Sequence, residues 1–361
     1  MAIFSLRSLY EEAEQLLIDL IQRPSHSGEE EKAAELIQKY LKEFCLCVER
    51  KYNNVWALNR FADPLKPVLL LNSHLDTVKP CVGWTIQPYK PRRFKGKLYG
   101  LGSNDAGAAL VALAVVFKYF YDQPDLPYNI IFAATAEEET SGTRGICALL
   151  PLIGPVELAI VGEPTGMEVA VAEKGLIVLE CESRGMAGHA ARDLGVNAIL
   201  KAIPDILWFS SYQFSKISKY LGPVKMTVTQ INAGYQHNVI PDTCTFTVDI
   251  RTTDAYTHNE IMEVIYKNIT SHIKREALRL NPSVIPEEHA LVQAAKRIGI
   301  PRFGSPTLSD QALLNFPSIK IGPGRSERSH TADEYIELKE LEEGIARYIR
   351  LVEEFFKQES K

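Results

Sequence analysis

Five short segments carry side chains that could hold a metal ion or move a proton. The run Pro67-Val68-Leu69-Leu70-Leu71-Asn72-Ser73-His74 is apolar until its last residues, and Asp76 follows His74 two positions on. Residues two apart on an extended chain point to one side, so a carboxylate there can accept the second N–H of the imidazole, fix its tautomer and raise its basicity as a ligand. The segment Tyr99-Gly100-Leu101-Gly102-Ser103-Asn104-Asp105-Ala106-Gly107 is a glycine-rich turn ahead of a helix. It is a poor dinucleotide loop: Asp105 occupies the third glycine position of G-x-G-x-x-G and would repel a pyrophosphate. An acid at that point reads as a helix cap or a metal ligand. Ala136-Glu137-Glu138-Glu139-Thr140 places adjacent carboxylates after a core strand, which is costly unless a cation compensates them or the segment opens a surface helix. Ile160-Val161-Gly162-Glu163 delivers another acid from an apolar strand, and His330 lies in the loop Gly322–Glu334 after the short strand Ser318–Ile321.

Each segment alone has a plain structural explanation: a strand-end cap, a helix cap, a helix start, a loop histidine. Together they have one chemical explanation. Several buried strands each end in a histidine or an acid, and in an open α/β sheet those ends share the edge where sites form. Mixed imidazole and carboxylate donors suit zinc, or the neighbouring ions cobalt and manganese. A shared carboxylate lets two ions sit about 3.5 Å apart.

The elements that must position these residues alternate. A helix ends near Arg23-Pro24, and Ser27 with Glu30 forms a capping-box start for a second. Val48–Leu58 reads as a strand, Gly107–Tyr121 as a helix, and Tyr128–Ala134 and Leu158–Val161 as buried strands. Apolar runs without alternation indicate a sheet covered on both faces, so the fold class is α/β with a largely parallel sheet. After about Lys174 the style changes. Leu176–Ser183, Val224–Asn232 and Thr243–Arg251 read as strands, with Cys244, Phe246, Val248 and Ile250 on one face. Gly195–Ser215, broken or bent at Pro204, and Asn259–Leu278 read as helices. This β-α-β-β-α order makes a separate, inserted domain. The predicted boundaries are 1–174 and 286–361 for the interrupted domain and 175–285 for the insertion, with a closing amphipathic helix over Leu338–Phe356.

The chain has 361 residues, 46% hydrophobic and 24% charged, the balance of a water-soluble globular protein. A net charge of −5 without a Lys/Arg-rich run argues against a nucleic-acid partner. The N-terminal pattern is an amphipathic helix rather than a signal peptide, and no run of about 18 apolar residues predicts a membrane span. Six scattered cysteines without a C-x-x-C pair suit a reducing cytoplasm.

As a set, these motifs resemble the M20 family of dizinc aminoacylases and peptidases. The matching segments are Ser73–Pro80, Gly102–Asp105, Thr135–Ser141, Gly162–Thr165, Gly188-His189, Asn238–Pro241, Asp249–Arg251 and Gly322 to His330. The resemblance implies a dizinc exopeptidase-like catalytic domain carrying a ferredoxin-like α+β lid and dimerisation domain. It implies two zinc ions, one held by His74 and Glu163, the other by Glu139 and His330, with Asp105 bridging. Asp76 would orient His74, and Glu138 would be the general base, although the triple glutamate admits a one-residue slip to Glu137. His189 would reach the active site of the partner in a homodimer and stabilise the oxyanion, while Asn238 and Arg251 would bind substrate, Arg251 through a bidentate contact to a carboxylate. The family's bridging Asp usually precedes a larger residue and Lys-Gly, through a cis bond; here Ala106-Gly107 follows.

The implied reaction is hydrolysis of an N-acyl amino acid, with N-acetylornithine, N-acetylcitrulline or an N-succinyl analogue from arginine biosynthesis as expected substrates. A dipeptidase or succinyl-diaminopimelate desuccinylase activity is the alternative. A non-catalytic binding relative would lack ligands or the base, and all of them are present here.

Overall fold

The N-terminal pattern folds as α1 (Leu6–Ile21), capped by Ser5 and buried along Leu9, Ala13, Leu16, Leu17, Leu20 and Ile21. The computed structural model describes residues 5–192 and 194–359. The second helix, α2 (Glu31–Lys42), starts later than the capping box predicts. The Ser27 hydroxyl donates to Asp76 instead, at 2.6 Å, and Glu30 accepts from the Gly28 N–H. Both side chains serve another part of the chain, so neither caps the helix. The predicted strand Val48–Leu58 is a hairpin, β1 (Glu49–Lys51) and β2 (Asn54–Leu58), turning where Tyr52 has a positive φ.

The strands that carry chemistry follow. They are β3 (Val68–His74), β4 (Asn129–Thr135) and β5 (Leu158–Gly162), with α3 (Ala108–Tyr121) after β3 and α4 (Ile146–Ile153) after β4; β6 (Val169–Glu173) comes next. The chain then enters its second compact unit. This comprises Ala172–Val284 and Gly304–Leu308; the first comprises Met1–Val171, Ile285–Phe303 and Ser309–Lys361. The main elements of the second unit are β7 (Gly175–Arg184), α5 (Ala198–Ser211), β8 (Lys225–Ala233), β9 (Thr243–Thr252), α6 (His258–Asn268) and β10 (His272–Leu280). Back in the first unit come α7 (Ala290–Arg297), β11 (Ser318–Ile321) and α8 (Leu338–Glu359).

The main sheet runs β1-β2-β4-β3-β5-β11-β6, and the short strands Ser283–Val284 and Arg302–Ser305 also pair with β6. Its centre is parallel, β4 with β3, β3 with β5 and β5 with β11, and its flanks are antiparallel. Every residue of β4 and β5 is buried, which accounts for their unbroken apolar pattern. On one face Leu70, Ile131, Ala133, Ala159 and Val161 meet Ile146 and Leu149 of α4. On the other lies α3, with Phe117 stacked on Phe132. The consequence for chemistry is geometric: β3, β4, β5 and β11 all present their C-terminal ends at one edge.

In the second unit the antiparallel order is β8-β9-β7-β10, the arrangement of a ferredoxin-like β-α-β-β-α-β fold. Ile177, Leu179, Phe209, Phe246, Val248, Ile250, Ile261 and Ile265 fill its core. The helix α5 is continuous through Pro204. The predicted helix Asn259–Leu278 is corrected: α6 stops at Asn268 and the rest is β10. Two register shifts in β10, between Ile273 and Arg275 and between Ala277 and Leu280, break the two-residue alternation that would have marked it as a strand.

Asp205, 3% exposed, makes the turn into β10. Its carboxylate accepts from the N–H groups of Thr270 and Ser271 and from the Ser271 hydroxyl, at 3.1, 2.7 and 2.5 Å. Asp205→Ala strands these donors in a buried place, and a stability loss of about 2–4 kcal/mol is expected in urea unfolding. A change under about 0.5 kcal/mol would show that water replaces the carboxylate without cost.

Candidate metal centre

His74 ends β3 and is buried. Its Nδ1 lies 2.9 Å from the main-chain oxygen of Asp76. A carbonyl can only accept, so Nδ1 carries a proton and the ring turns Nε2 toward the cluster as the atom able to ligate. Around Nε2 lie Asp105 Oδ1 at 3.4 Å, Glu163 Oε1 at 3.6 Å and Glu138 Oε2 at 3.9 Å. The other oxygen of Asp105, Oδ2, lies 3.5 Å from His330 Nε2, which is itself 2.9 Å from Glu139 Oε2. One carboxylate thus faces two imidazoles with one oxygen each.

Asp105 sits in the kinked turn Ser103–Gly107, and the Asp105–Ala106 peptide bond is cis. Glu334 holds this turn: its buried carboxylate accepts from the N–H groups of Gly102, Asn104 and Asp105 at 2.8, 2.7 and 2.9 Å. The Asn104 amide grips the main chain of Arg325 in both directions, at 2.9 and 3.0 Å. Gly324, at φ +90°, comes so close to Asn104 that a Cβ there would lie 2.4 Å from Oδ1. The loop with Asp105 and the loop with His330 are therefore one fastened body.

The Asp76 carboxylate has two sets of neighbours. It stands 3.6 Å from Nδ1 of His74, while its oxygens accept the N–H groups of Glu138 and Glu139 at 3.0 Å each. The main-chain carbonyl of Asp76 takes the His74 Nδ1–H, while its side chain both faces His74 and holds the glutamate loop. Glu137 points to Arg144, with Oε1 2.8 Å from Nε and Oε2 accepting the Arg144 N–H at 3.0 Å. Among the three glutamates, Glu138 and Glu139 join the cluster and Glu137 does not.

Electrostatics follow from crowding. Burial pushes the Glu138 carboxyl well above its ordinary range against the pull of His74, and Glu163, Asp310 and Glu139 add to the push. Burial takes Glu163 to about 8, again against His74. The bond to Glu139 raises His330 to about 9. For His74 burial works downward, but Asp105 and Asp76 prevail and hold it well above its ordinary value. Acids resisting ionisation and imidazoles retaining protons both signal a deficit of positive charge. The donor set fits divalent cations: His74, Glu138 and Glu163 offer atoms within 4.8 Å of one another, and so do His74, Asp105 and Glu139. Glu139 Oε1 is buried without a hydrogen-bond partner.

His189, Asn238 and Arg251 belong to the second unit. Gly188-His189 pairs with Val239-Ile240, and the Ala190 N–H reaches the Asn238 carbonyl at 2.9 Å, which sets His189 and Asn238 side by side. His189 is exposed. The fork of Arg251 is engaged by Asp249 of its own strand, at 2.9 and 3.0 Å.

Two acids at the centre carry no motif. Glu334 is one. Asp310 is the other: it is buried, bonded to the Thr135 hydroxyl at 2.7 Å, and pushed up to about 6 by burial. The only signal for either is an acid in a segment that follows or precedes a short apolar strand.

A family model described as Peptidase family M20/M25/M40 matches residues 70–354. Succinyl-diaminopimelate desuccinylase 2 of Ruegeria sp. is 23% identical, with 96% of each chain covered. The acetylornithine deacetylase of Proteus mirabilis is 28% identical over 80% of this chain and 79% of that one. Among solved structures, the Bacillus subtilis protein YXEP, described as a dinuclear metal-binding peptidase, superposes with a TM-score of 0.72 at 16% identity, covering 96% of this chain and 98% of that one.

Proposed function

This chain belongs to the M20/M25/M40 peptidase family, a family of metal-dependent hydrolases, and from that premise we propose that it cleaves the amide bond of an N-acyl amino acid at a two-metal centre. The observation that carries the reading is Asp105, whose two oxygens face the Nε2 atoms of His74 and His330 at 3.4 and 3.5 Å. His74 and Glu163 would hold one ion, Glu139 and His330 the other, and Asp105 both. Zinc fits these donors, with cobalt and manganese as substitutes. Bound there, such ions polarise an amide carbonyl and lower the pKa of water.

The chain's own residues supply the rest. Glu138 takes a proton from the attacking water and passes it to the departing nitrogen, a role that suits a carboxylate 3.9 Å from His74 Nε2 and committed to neither Arg144 nor His330. Asp76 keeps that side chain in register through the Glu138 N–H. Asn238 and Arg251 bind substrate, with Arg251 exchanging or sharing its Asp249 contact for a substrate carboxylate. The expected substrates are N-acetylornithine, N-acetylcitrulline or an N-succinyl analogue, in keeping with the names of the desuccinylase and deacetylase relatives. A peptide-bond activity is the second reading, favoured by the peptidase likeness in fold.

The test is a panel of N-acetyl and N-succinyl amino acids and dipeptides, assayed before and after chelation. The expected result is release of a free amino acid from the acyl substrates, abolished by chelator and restored by zinc or cobalt. Activity that survives complete removal of metal overturns the proposal.

We further propose that His189 serves the site of a second copy, as an oxyanion donor. The outer face of α5 supports pairing, with Leu200 65% and Leu207 62% exposed. If so, His189→Ala and Glu138→Ala proteins, each inactive, regain activity when mixed and allowed to exchange subunits, because one site of the mixed dimer is whole. No regain in a mixture shown to contain mixed dimers rejects the shared site.

A further inference from the structure

Three successive main-chain N–H groups in the glutamate loop are each held by a buried carboxylate. Glu138 and Glu139 donate to the two oxygens of Asp76 at 3.0 Å each, and Glu137 donates to Glu30 Oε1 at 3.2 Å. Glu30 is fully buried. It stands at the N-cap of α2 and makes no capping bond there. Its Oε1 also accepts the Gly28 N–H at 2.6 Å, and its Oε2 accepts the Asn53 amide at 2.8 Å. Asn53 is in turn fixed by Arg50 at 3.0 Å, on the β1–β2 hairpin.

The segment bearing Glu30 is fastened to the strand end bearing His74. The Ser25 hydroxyl donates to the Leu75 carbonyl at 2.9 Å, the Thr77 N–H to the Ser25 carbonyl at 2.9 Å, and the Ser27 hydroxyl to Asp76 at 2.6 Å. Residues 25–30 therefore connect the β3 end to the β4 end along a line that avoids the metal ligands. On the far side the loop has no slack. Glu137 lies in the left-handed region at φ +56°, and a Cβ on Gly142 would meet its carboxylate at 2.0 Å.

We infer that Glu30 is a positioning residue for the Glu137–Glu139 segment, setting where Glu138 and Glu139 stand relative to His74. An isolated buried carboxylate is expensive, and one whose oxygens are saturated by main-chain and amide donors fixes those donors firmly. The inference rests on the two-metal reading above, and it makes an asymmetric claim. Glu139 belongs to one ion and arrives on this loop, whereas His74 and Glu163 arrive on β3 and β5. Loosening the loop should weaken one of the two ions and spare the other.

The experiment titrates metal-free protein with cobalt and follows its visible absorption, together with kcat and KM of the loaded enzyme. Wild type is expected to take up two equivalents. In Glu30→Ala the first equivalent should bind as in wild type, the second about tenfold or more weaker. At saturating cobalt kcat should fall about tenfold or more, with KM within about threefold. Glu30→Gln keeps an oxygen for the Gly28 and Glu137 N–H groups, gives up only the bond from the Asn53 amide to the other oxygen, and should return both measures to within about threefold of wild type. Asp205→Ala, which destabilises the second unit, serves as the stability control and should leave both cobalt affinities unchanged. Equal weakening of both equivalents in Glu30→Ala, or of neither, overturns the inference while leaving the two-metal reading intact. Failure of Glu30→Gln to restore the second equivalent overturns it too. Fewer than two equivalents in wild type overturns the two-metal reading and this inference with it.

Discussion

Glu138→Ala is expected to lower kcat by about 10³-fold or more, with two metal equivalents retained and KM within a few-fold of wild type. The expectation follows from which glutamate stands where. Glu137 is committed to Arg144. Glu139 is committed to His330 at 2.9 Å. Glu138 reaches the cluster with its carboxylate 3.9 Å from His74 Nε2, too far for a hydrogen bond and close enough to act across a water. Removing it subtracts proton transfer and leaves the donors of both ions in place. Turnover near the wild-type value would end its assignment as base. Loss of one metal equivalent would make it a ligand, a role its proximity to His74 and Glu163 also allows.

Asp105→Ala removes the one group that both halves of the site share. Each ion would lose a donor, and two cations at short separation would lose the negative charge between them. Metal uptake should fall below two equivalents, with affinity down about 100-fold or more, and turnover should fall at least as far as in Glu138→Ala. Because Glu334 holds this turn through main-chain N–H groups, including that of residue 105, the backbone should keep its path, and the melting temperature of metal-free protein should change little. Isothermal titration of zinc into both proteins checks this. Two equivalents bound at wild-type affinity would mean that Asp105 only caps its turn.

The apolar runs before His74 and Glu163 were legible because both faces of those strands are buried, so hydrophobicity marks every residue and the polar ending stands out. A second part played by the Asp76 side chain was not legible. It acts on N–H groups of residues 138 and 139, and sequence spacing says nothing about a partner 62 or 63 positions away. Glu334 was missed, and Glu30 was read only as a capping-box partner, for the same reason: every main-chain N–H looks alike in a sequence. Ser27 was legible as a hydrogen-bonding residue at the start of a helix, but its bond goes to Asp76. The strand β10 was missed because its bulges remove its period and its exposed face is rich in charged residues. Pattern reports repeated burial well; it reports single long-range polar contacts poorly.

The position of β11 has a bearing on how the chain is made. It lies between β5 and β6, hydrogen-bonded to both, yet it is synthesised some 150 residues after them. Until the ribosome has passed Ile321, the facing edges of those two older strands have no neighbour. His330 emerges later still. The second unit, nearly continuous in sequence, can therefore mature while the first stays open at its middle. Metal capture at the full set of donors must be among the last events of biogenesis, and shortening the chain before residue 318 should yield aggregation rather than a smaller enzyme.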